Sequence, residues 1–406
     1  MASVVAIGTL DTKGTEYAFL CERLREHGVD VILIDAGVLG DPGTAPDIAR
    51  DEVARAGGVE LDDLVAAGDR GAAVEAMSRG AAAIVDRLHR RGRLTGIVGM
   101  GGTGGTSLVT HAMQQLPVGV PKLVVSTVSS GDTRPYVGAV DITMMYSVVD
   151  VSGVNQISSR IIGNAAAAIA GMAKAEIPEL GETRPLVGAS MFGVTTPCVT
   201  AARDRLEELG YEVLVFHQTG TGGQSMEELV RAGFIRGVLD VTTTELCDEL
   251  VGGVLAAHPN RLEVAGSMGV PQVVSLGALD MVNFGPMETV PEGFRSRNLY
   301  VHNPSVTLMR TTPEECEELG RRVARKLSSA TGPTALFVPL RGVSMIATEG
   351  QPFHDPAADE ALFSAVRENL GASVELHEVD TDVNDPRFAI AMADRLHDML
   401  SEGDGA

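Results

Sequence analysis

Two features of the sequence predict an α/β protein of two doubly wound parallel-sheet domains. Short apolar, β-branched runs alternate with amphipathic helices, and the same strand–turn–helix layout occurs once in each half. A third feature, five glycines within the seven residues Gly99–Gly105 directly after a strand, predicts a ligand cleft at the strand carboxyl ends. The chain has 406 residues, enough for two such domains at roughly 100–200 residues each.

The first half opens with SVVAIG (residues 3–8), a buried strand by its β-branched content. The turn TLDTKG follows, then a helix with Tyr17, Leu20, Cys21 and Leu24 on one face. Gly28 ends that helix, and VDVILID (29–35) reads as a second strand, apolar on both faces as a parallel strand must be. Residues 41–68 are broken by Pro and Gly into short helical pieces, and a longer helix runs from about residue 72 to 91. Strand 94–100 meets GMGGTGGTS, helix 106–116 stops at Pro117, and KLVVS (122–126) is a further strand. Helix 160–175 is rich in alanine and almost free of charge, which predicts burial at a domain or subunit contact. AEIPELGETRP (175–185) is a linker, so the domains are expected at 1–180 and 181–406.

The second half repeats the first. LVGASMFG (186–193) leads into a helix with Val199, Ala202, Leu206 and Leu209 on one face, closed by Gly210, before the strand YEVLVFH (211–217). GIVGMGGTGGT (96–106) corresponds in position to GVLDVTTTELC (237–247), and VPKLVVS to VPQVVS. This weak duplication predicts two Rossmann-like domains wound alike.

The net charge is −22, with −6 in residues 1–180 (15 basic, 21 acidic) and −16 in the remainder (17 basic, 33 acidic). Such acidity disfavours nucleic acid and anionic membranes as partners, because phosphate backbones are held by Lys and Arg. The longest uncharged apolar stretch near a helix, residues 161–173, is short of the ~20 residues a bilayer span needs. Asp11 and Lys13 interrupt the apolar N-terminus, so no signal-peptide core is expected. Four scattered cysteines show no metal-like spacing, and a cytoplasmic protein with reduced, structural thiols is expected.

In open parallel sheets, ligands bind beyond the strand carboxyl ends. Gly101, Gly102, Thr103, Gly104, Gly105 and Thr106 offer bare backbone and a helix start to phosphate oxygens; a tight strand-to-helix turn is the plainer account. Ser126, Thr127, Ser129 and Gly131 supply hydroxyls and backbone for an anion nest, or for helix capping. Gly8, Thr9, Asp11, Thr12 and Lys13 form a third loop, with Lys13 as a phosphate partner and Asp11 as a ribose or Mg²⁺ ligand; capping by Thr12 or Asp11 is the alternative. Asp35 follows the second strand and suits a ribose or base. NAD is disfavoured because the strand after the glycine loop ends in Ser126-Thr127 without the ribose-binding acid, and no Walker A lysine is present.

In the second half, His302, His354 and Asp355 suit acid–base or metal-ligand roles, and Arg341 suits a carboxylate. No spacing resembles a metal-binding motif, so satisfied loop histidines are the favoured reading and the metal stays unassigned.

The segments GTLDTK, GMGGTGGT, VSTVSSGDTRPYVGAVDITMMYSVVDVSG, MFGVTTPCV, DVTTTEL, GALDMVNFGP, YVHNP, PLRGVS and GQPFHDP resemble the ATP-binding domain family typified by the tomato tobamovirus-resistance protein. The resemblance spans essentially the whole chain. It implies two Rossmann-like subdomains with ATP and Mg²⁺ on the first. Plant members also carry a TIM-barrel domain, so it implies a separate TIM-barrel protein as partner here. The expected function is an ATP-binding protein coupled to chemistry on a small carboxylate or keto-acid metabolite held by the second domain. The alternative is a non-catalytic interaction or inhibitory module with ATP as a structural ligand. The buried-looking alanine helix adds the expectation of a homodimer or higher homo-oligomer.

Overall fold

A computed structural model describes residues 2–176 and 183–403. The centre of the expected linker, residues 177–182, lies outside the described residues. The chain divides into two compact units, 1–179 and 180–406.

In unit 1 the strands are β1 (Ser3–Gly8), β2 (Asp30–Asp35), β3 (Gly96–Gly101), β4 (Lys122–Ser126) and β5 (Thr143–Tyr146). They form one parallel sheet in the order β2-β1-β3-β4-β5. The helices are α1 (Leu10–Glu26), α2 (Arg50–Ala56), α3 (Leu61–Ala67), α4 (Arg70–Arg90), α5 (Thr103–Met113), α6 (Arg134–Val137) and α7 (Ser158–Lys174). Alternate residues of each strand feed opposite layers, as the period of two demands. Val5, Ile7, Ile34 and Val124 pack toward α2–α5, while Val4, Ala6, Leu33 and Leu123 pack toward α1 and α7.

The alanine-rich helix is α7. Its buried residues Ile162, Ala165, Ala166, Ile169 and Ala170 pack in the core of unit 1 itself. Small residues let it lie close on the sheet, so its lack of charge gives no ground for a subunit contact.

Both glycine-loop helices begin earlier than their sequence signals. Helix α1 starts at Leu10 and takes TLDTKG into its first turns, with Lys13 alone off helical geometry (φ −134°, ψ 24°). Helix α5 starts at Thr103, because Gly102 makes the whole turn in extended backbone (φ −80°, ψ −163°).

Unit 2 repeats the winding. Strands β6 (Leu186–Met191), β7 (Glu212–His217), β8 (Ile235–Thr242), β9 (Gln272–Gly277), β13 (Thr334–Pro339) and β14 (Glu375–Val379) form a parallel sheet ordered β14-β13-β9-β8-β6-β7. Counted from β6, this is the unit 1 order with a sixth strand. Between β9 and β13 the chain inserts an antiparallel sheet of β10 (Met281–Phe284), β11 (Leu299–Asn303) and β12 (Val306–Arg310). Helices α8 (Thr196–Glu208) and α14 (Pro386–Gly403) cover one face of the parallel sheet. The others are α9 (Gly222–Arg231), α10 (Glu245–Val251), α11 (Val264–Ser267), α12 (Pro313–Ser328) and α13 (Pro356–Asn369). Of these, α12 and α13 cover much of the opposite face. All four cysteines are buried free thiols, and burial pushes Cys198, at the start of α8, up to about 12.

Candidate functional site

The order β2-β1-β3-β4-β5 reverses direction between β1 and β3, which makes their carboxyl ends the switch point of the sheet. A cavity of about 720 Å³ opens there. Thr9, Thr12 and Lys13 of the β1–α1 turn line it, with Gly102, Thr103, Gly104 and Gly105 of the β3–α5 turn. Two helix N-termini therefore meet at one cavity; neither N-cap residue, Thr9 or Gly102, caps its helix with a side chain, but the first N–H of α1, Leu10 N, already donates to Asp35 Oδ1. The first N–H groups of α5 and the positive ends of both helix dipoles favour an anion. Helix α4, by contrast, is capped internally: Asp69 accepts from Gly71 N at 2.8 Å and Ala72 N at 3.1 Å.

The glycines of the loop differ in purpose. A Cβ on Gly101 would stand 3.0 Å from Gly105 Cα, so Gly101 serves the packing of α5 on β3. A Cβ on Gly104 would meet only the tip of Arg70, at 3.7 Å. The fold itself has room for a side chain at Gly104, and what the glycine keeps open is the cavity.

Carboxylates hold the loops in place. Asp11 Oδ2 accepts from the N–H groups of Val38 (3.1 Å) and Leu39 (2.9 Å), pinning the loop after β2 to the start of α1. Its Oδ1, buried at the cavity lining, has no partner among the described residues. Asp35 sits beneath: Oδ1 accepts from Leu10 N (3.1 Å) and Gly37 N (2.8 Å), and burial raises its pKa. Asp35 positions the two turns and does not line the cavity. Lys13 lines it, with Nζ donating to the carbonyl of Val151.

The remainder of the cavity is an apolar slot that the sequence reading missed. Val38 and Leu39 after β2, Leu64 and Val65 of α3, and Val74 and Met77 of α4 form its walls. Asp69, Arg70 and Asp150 also line the cavity. These residues come from segments far apart in sequence and carry no motif. The apolar stripe of α4 was the available signal; that Leu39 (65%) and Val65 (46%) stand exposed is visible only in the structure.

Several predicted residues stand outside the lining. Gly8 makes room for Tyr17, whose ring a Cβ would overlap; the Tyr17 hydroxyl accepts from Met100 N (2.8 Å) and donates to Ile7 O (2.5 Å). Thr106 and Ser126 are fully buried and share a hydroxyl–hydroxyl bond of 2.6 Å, so both face inward. Thr127 and Ser129 form a single 3₁₀ turn ended by Gly131, with Ser126 capping it through Val128 N. That turn lies outside the cavity lining; Ser129 Oγ is buried without a partner among the described residues, and Thr127 Oγ1 stands 3.8 Å from the position of a Gly102 Cβ.

In unit 2 the loop after the second strand, like the loop after β2, is held by the chain's own carboxylates. The loop carrying Thr219-Gly220-Thr221-Gly222-Gly223 wraps the chain's own Glu245, whose Oε1 accepts from Gly220 N (2.8 Å) and Gly223 N (3.4 Å). Oε2 accepts from Arg261 Nε at 3.0 Å, and Arg261 grips Asp240 bidentately at 2.5 and 2.7 Å. All three side chains are buried. Glu227 joins them, and burial pushes its carboxyl up to about 7. An internal carboxylate thus takes up the N–H groups of this loop.

Of the residues expected to act on a carboxylate, Arg341 and Asp355 have other partners. Arg341 is exposed and paired with Asp380, and Asp355 caps α13 through Ala357 N and Ala358 N, each at 3.1 Å. His302 is exposed on β11, and exposed His354 has Nδ1 3.4 Å from the carbonyl of Ala347. None of the four lines the cavity of unit 1. Among the described residues no cluster of three His, Cys, Asp or Glu side chains could hold a metal by itself, and no helix is long and apolar enough to cross a membrane.

Residues 2–178 match the model for the "Uncharacterised protein family (UPF0261) N-terminal domain", and residues 184–400 match that for its C-terminal domain. A "UPF0261 protein" of Clostridium tetani is 54% identical over 98% of this chain and 99% of its own length. "UPF0261 protein RA0729" of Rhizobium meliloti is 45% identical over 99% and 100%. "ToMV resistance protein Tm-1(GCR237)" of Solanum lycopersicum is 38% identical over 96% of this chain, which spans 55% of that longer protein. Among solved structures, the UDP-N-acetylglucosamine 2-epimerase from Rickettsia bellii aligns with 100% of this chain and 95% of its own at 9% identity, with a TM-score of only 0.24.

Proposed function

This chain belongs to the uncharacterised protein family UPF0261, and on that footing we propose that unit 1 binds ATP together with Mg²⁺. One observation carries the reading: a single cavity joins two helix N-termini, that of α5 uncapped, to an apolar slot. The first suits a phosphate chain and the second a flat, largely apolar base. The volume of about 720 Å³ falls within the ~300–1,000 Å³ range of small-molecule sites. The choice of ATP among nucleotides follows the family resemblance.

Mg²⁺ fits the donors present. The orphaned Oδ1 of Asp11 is a hard oxygen at the lining, with Asp150 nearby on the same cavity. With too few ligands for a dedicated protein cage, the ion would be shared with phosphate oxygens, whose charge it neutralises. Asp11 and Asp150 would hold it; Thr9, Thr12 and the α5 amides would orient the phosphates.

We read the role as binding and not turnover, because Arg341 and Asp355, the one suited to a carboxylate and the other to acid–base work, are held in an ion pair and a helix cap on unit 2. ATP then serves as a structural ligand of an interaction module. Calorimetry with Mg-ATP on the wild type and Gly104→Asp tests the site. Binding to the wild type and none to the variant is expected, since the new carboxylate enters the anion cradle. Equal heats for both would refute the assignment.

A further inference from the structure

We propose that Arg70 is the residue by which this site distinguishes nucleoside polyphosphates from monophosphates. The inference rests on the nucleotide reading and extends it to a specificity determinant that no motif marks.

Arg70 is the first residue of α4, directly after the capping Asp69. Its guanidinium reaches the glycine loop, where NH2 stands 3.7 Å from the position of a Gly104 Cβ. Arg70 therefore borders the cavity beside the uncapped start of α5. Its side chain has no ion pair or hydrogen bond among the described residues. Most arginines of this acidic chain are paired; this one faces an anion cradle unengaged.

Charge makes the residue decisive. The lining holds three carboxylates, Asp11, Asp69 and Asp150, against two cations, Lys13 and Arg70. Without Arg70 the imbalance grows from one negative charge to two, and the penalty rises with the charge of the ligand. The α5 amides can hold one phosphate as neutral donors. A guanidinium adds a planar, charge-assisted fork that suits the longer, more highly charged chain. Lys13, donating to Val151 O from the other turn, sits elsewhere on the lining and leaves Arg70 as the cation at the glycine loop.

The test is the affinity of ATP, ADP and AMP, each with Mg²⁺, for wild type, Arg70→Ala and Arg70→Lys. Thermal unfolding without ligand checks the fold, which an exposed, unpaired side chain leaves unchanged. Arg70→Ala should lose about tenfold to a hundredfold for ATP and several-fold less for AMP, the range of one charge-assisted hydrogen-bonded contact. Arg70→Lys should restore part of the ATP preference and add salt sensitivity. Equal losses for ATP and AMP, or no loss, with wild-type ATP binding intact, would overturn the role of Arg70 and leave the nucleotide reading standing. Failure of wild type to bind any of the three would overturn the nucleotide reading itself.

Discussion

Glu227 makes the stability of unit 2 depend on pH in a direction opposite to that of ordinary surface carboxylates. It lies on α9, 5% exposed, with Oε1 accepting from Leu262 N at 2.8 Å. Burial raises its pKa from an ordinary 4.5 to about 7; Arg261, Leu262 N–H and Arg231 oppose the rise and Asp240 adds to it. Because the folded pKa is the higher one, the folded protein holds this proton where the unfolded chain has released it. The stability contributed is complete below about 4.5 and is lost as pH rises through about 7. The rise from 4.5 to about 7, at ~1.4 kcal/mol for each tenfold change in proton affinity, gives about 3 kcal/mol, most of it between about pH 5 and 8. Glu227→Gln keeps the shape and the acceptor for Leu262 N–H and removes the titration. Urea unfolding of wild type and variant at several pH values across that window measures the difference. Taking the difference cancels Asp248 and Asp280, both raised to about 6 by burial and titrating with the same sign. The variant should gain about 3 kcal/mol relative to wild type as pH rises. A difference that stays flat across the window would refute the reasoning.

Gly101→Ala places a Cβ 3.0 Å from Gly105 Cα and should lower the melting temperature of unit 1, at a cost of about 1–3 kcal/mol from the forced backbone shift. The neighbouring Gly104→Ala should melt at or slightly above the wild-type temperature, because alanine favours the first turn of α5 and the site has room. The two melts together separate packing glycines from cavity glycines. Tyr17→Phe removes the hydroxyl that accepts from Met100 N and donates to Ile7 O in the middle of the sheet. It should destabilise unit 1 by about 1–3 kcal/mol in denaturant unfolding, the cost of stranding a buried N–H.

The winding of both units was legible because it is written locally. Val4 and Val5, or Val273 and Val274, pack on opposite faces through strand pleating alone, and a seven-residue window shows it. The glycine loop was legible for a similar reason: a turn between strand and helix needs few residues and leaves them in one stretch. Helix α7 shows where local reading fails. Its missing charges report burial truthfully, but only packing says that unit 1 provides the cover.

By itself, then, the sequence determined the two parallel sheets, the duplication, and the position of one open strand end, because each depends on periodicity and on backbone freedom within a few residues. The tertiary structure alone decided which hydroxyls face inward, as Thr106 and Ser126 do toward each other. It alone assembled the apolar slot from Leu39, Leu64 and Met77, and brought Arg70 beside Gly104. It also decided that the loop after β7 closes on Glu245, 22 or more residues away along the chain, while the glycine loop after β3 stays open. Both loops advertise the same bare N–H groups. Which of them is left for a ligand depends on whether the fold delivers a carboxylate of its own, and that is a long-range contact no local pattern encodes.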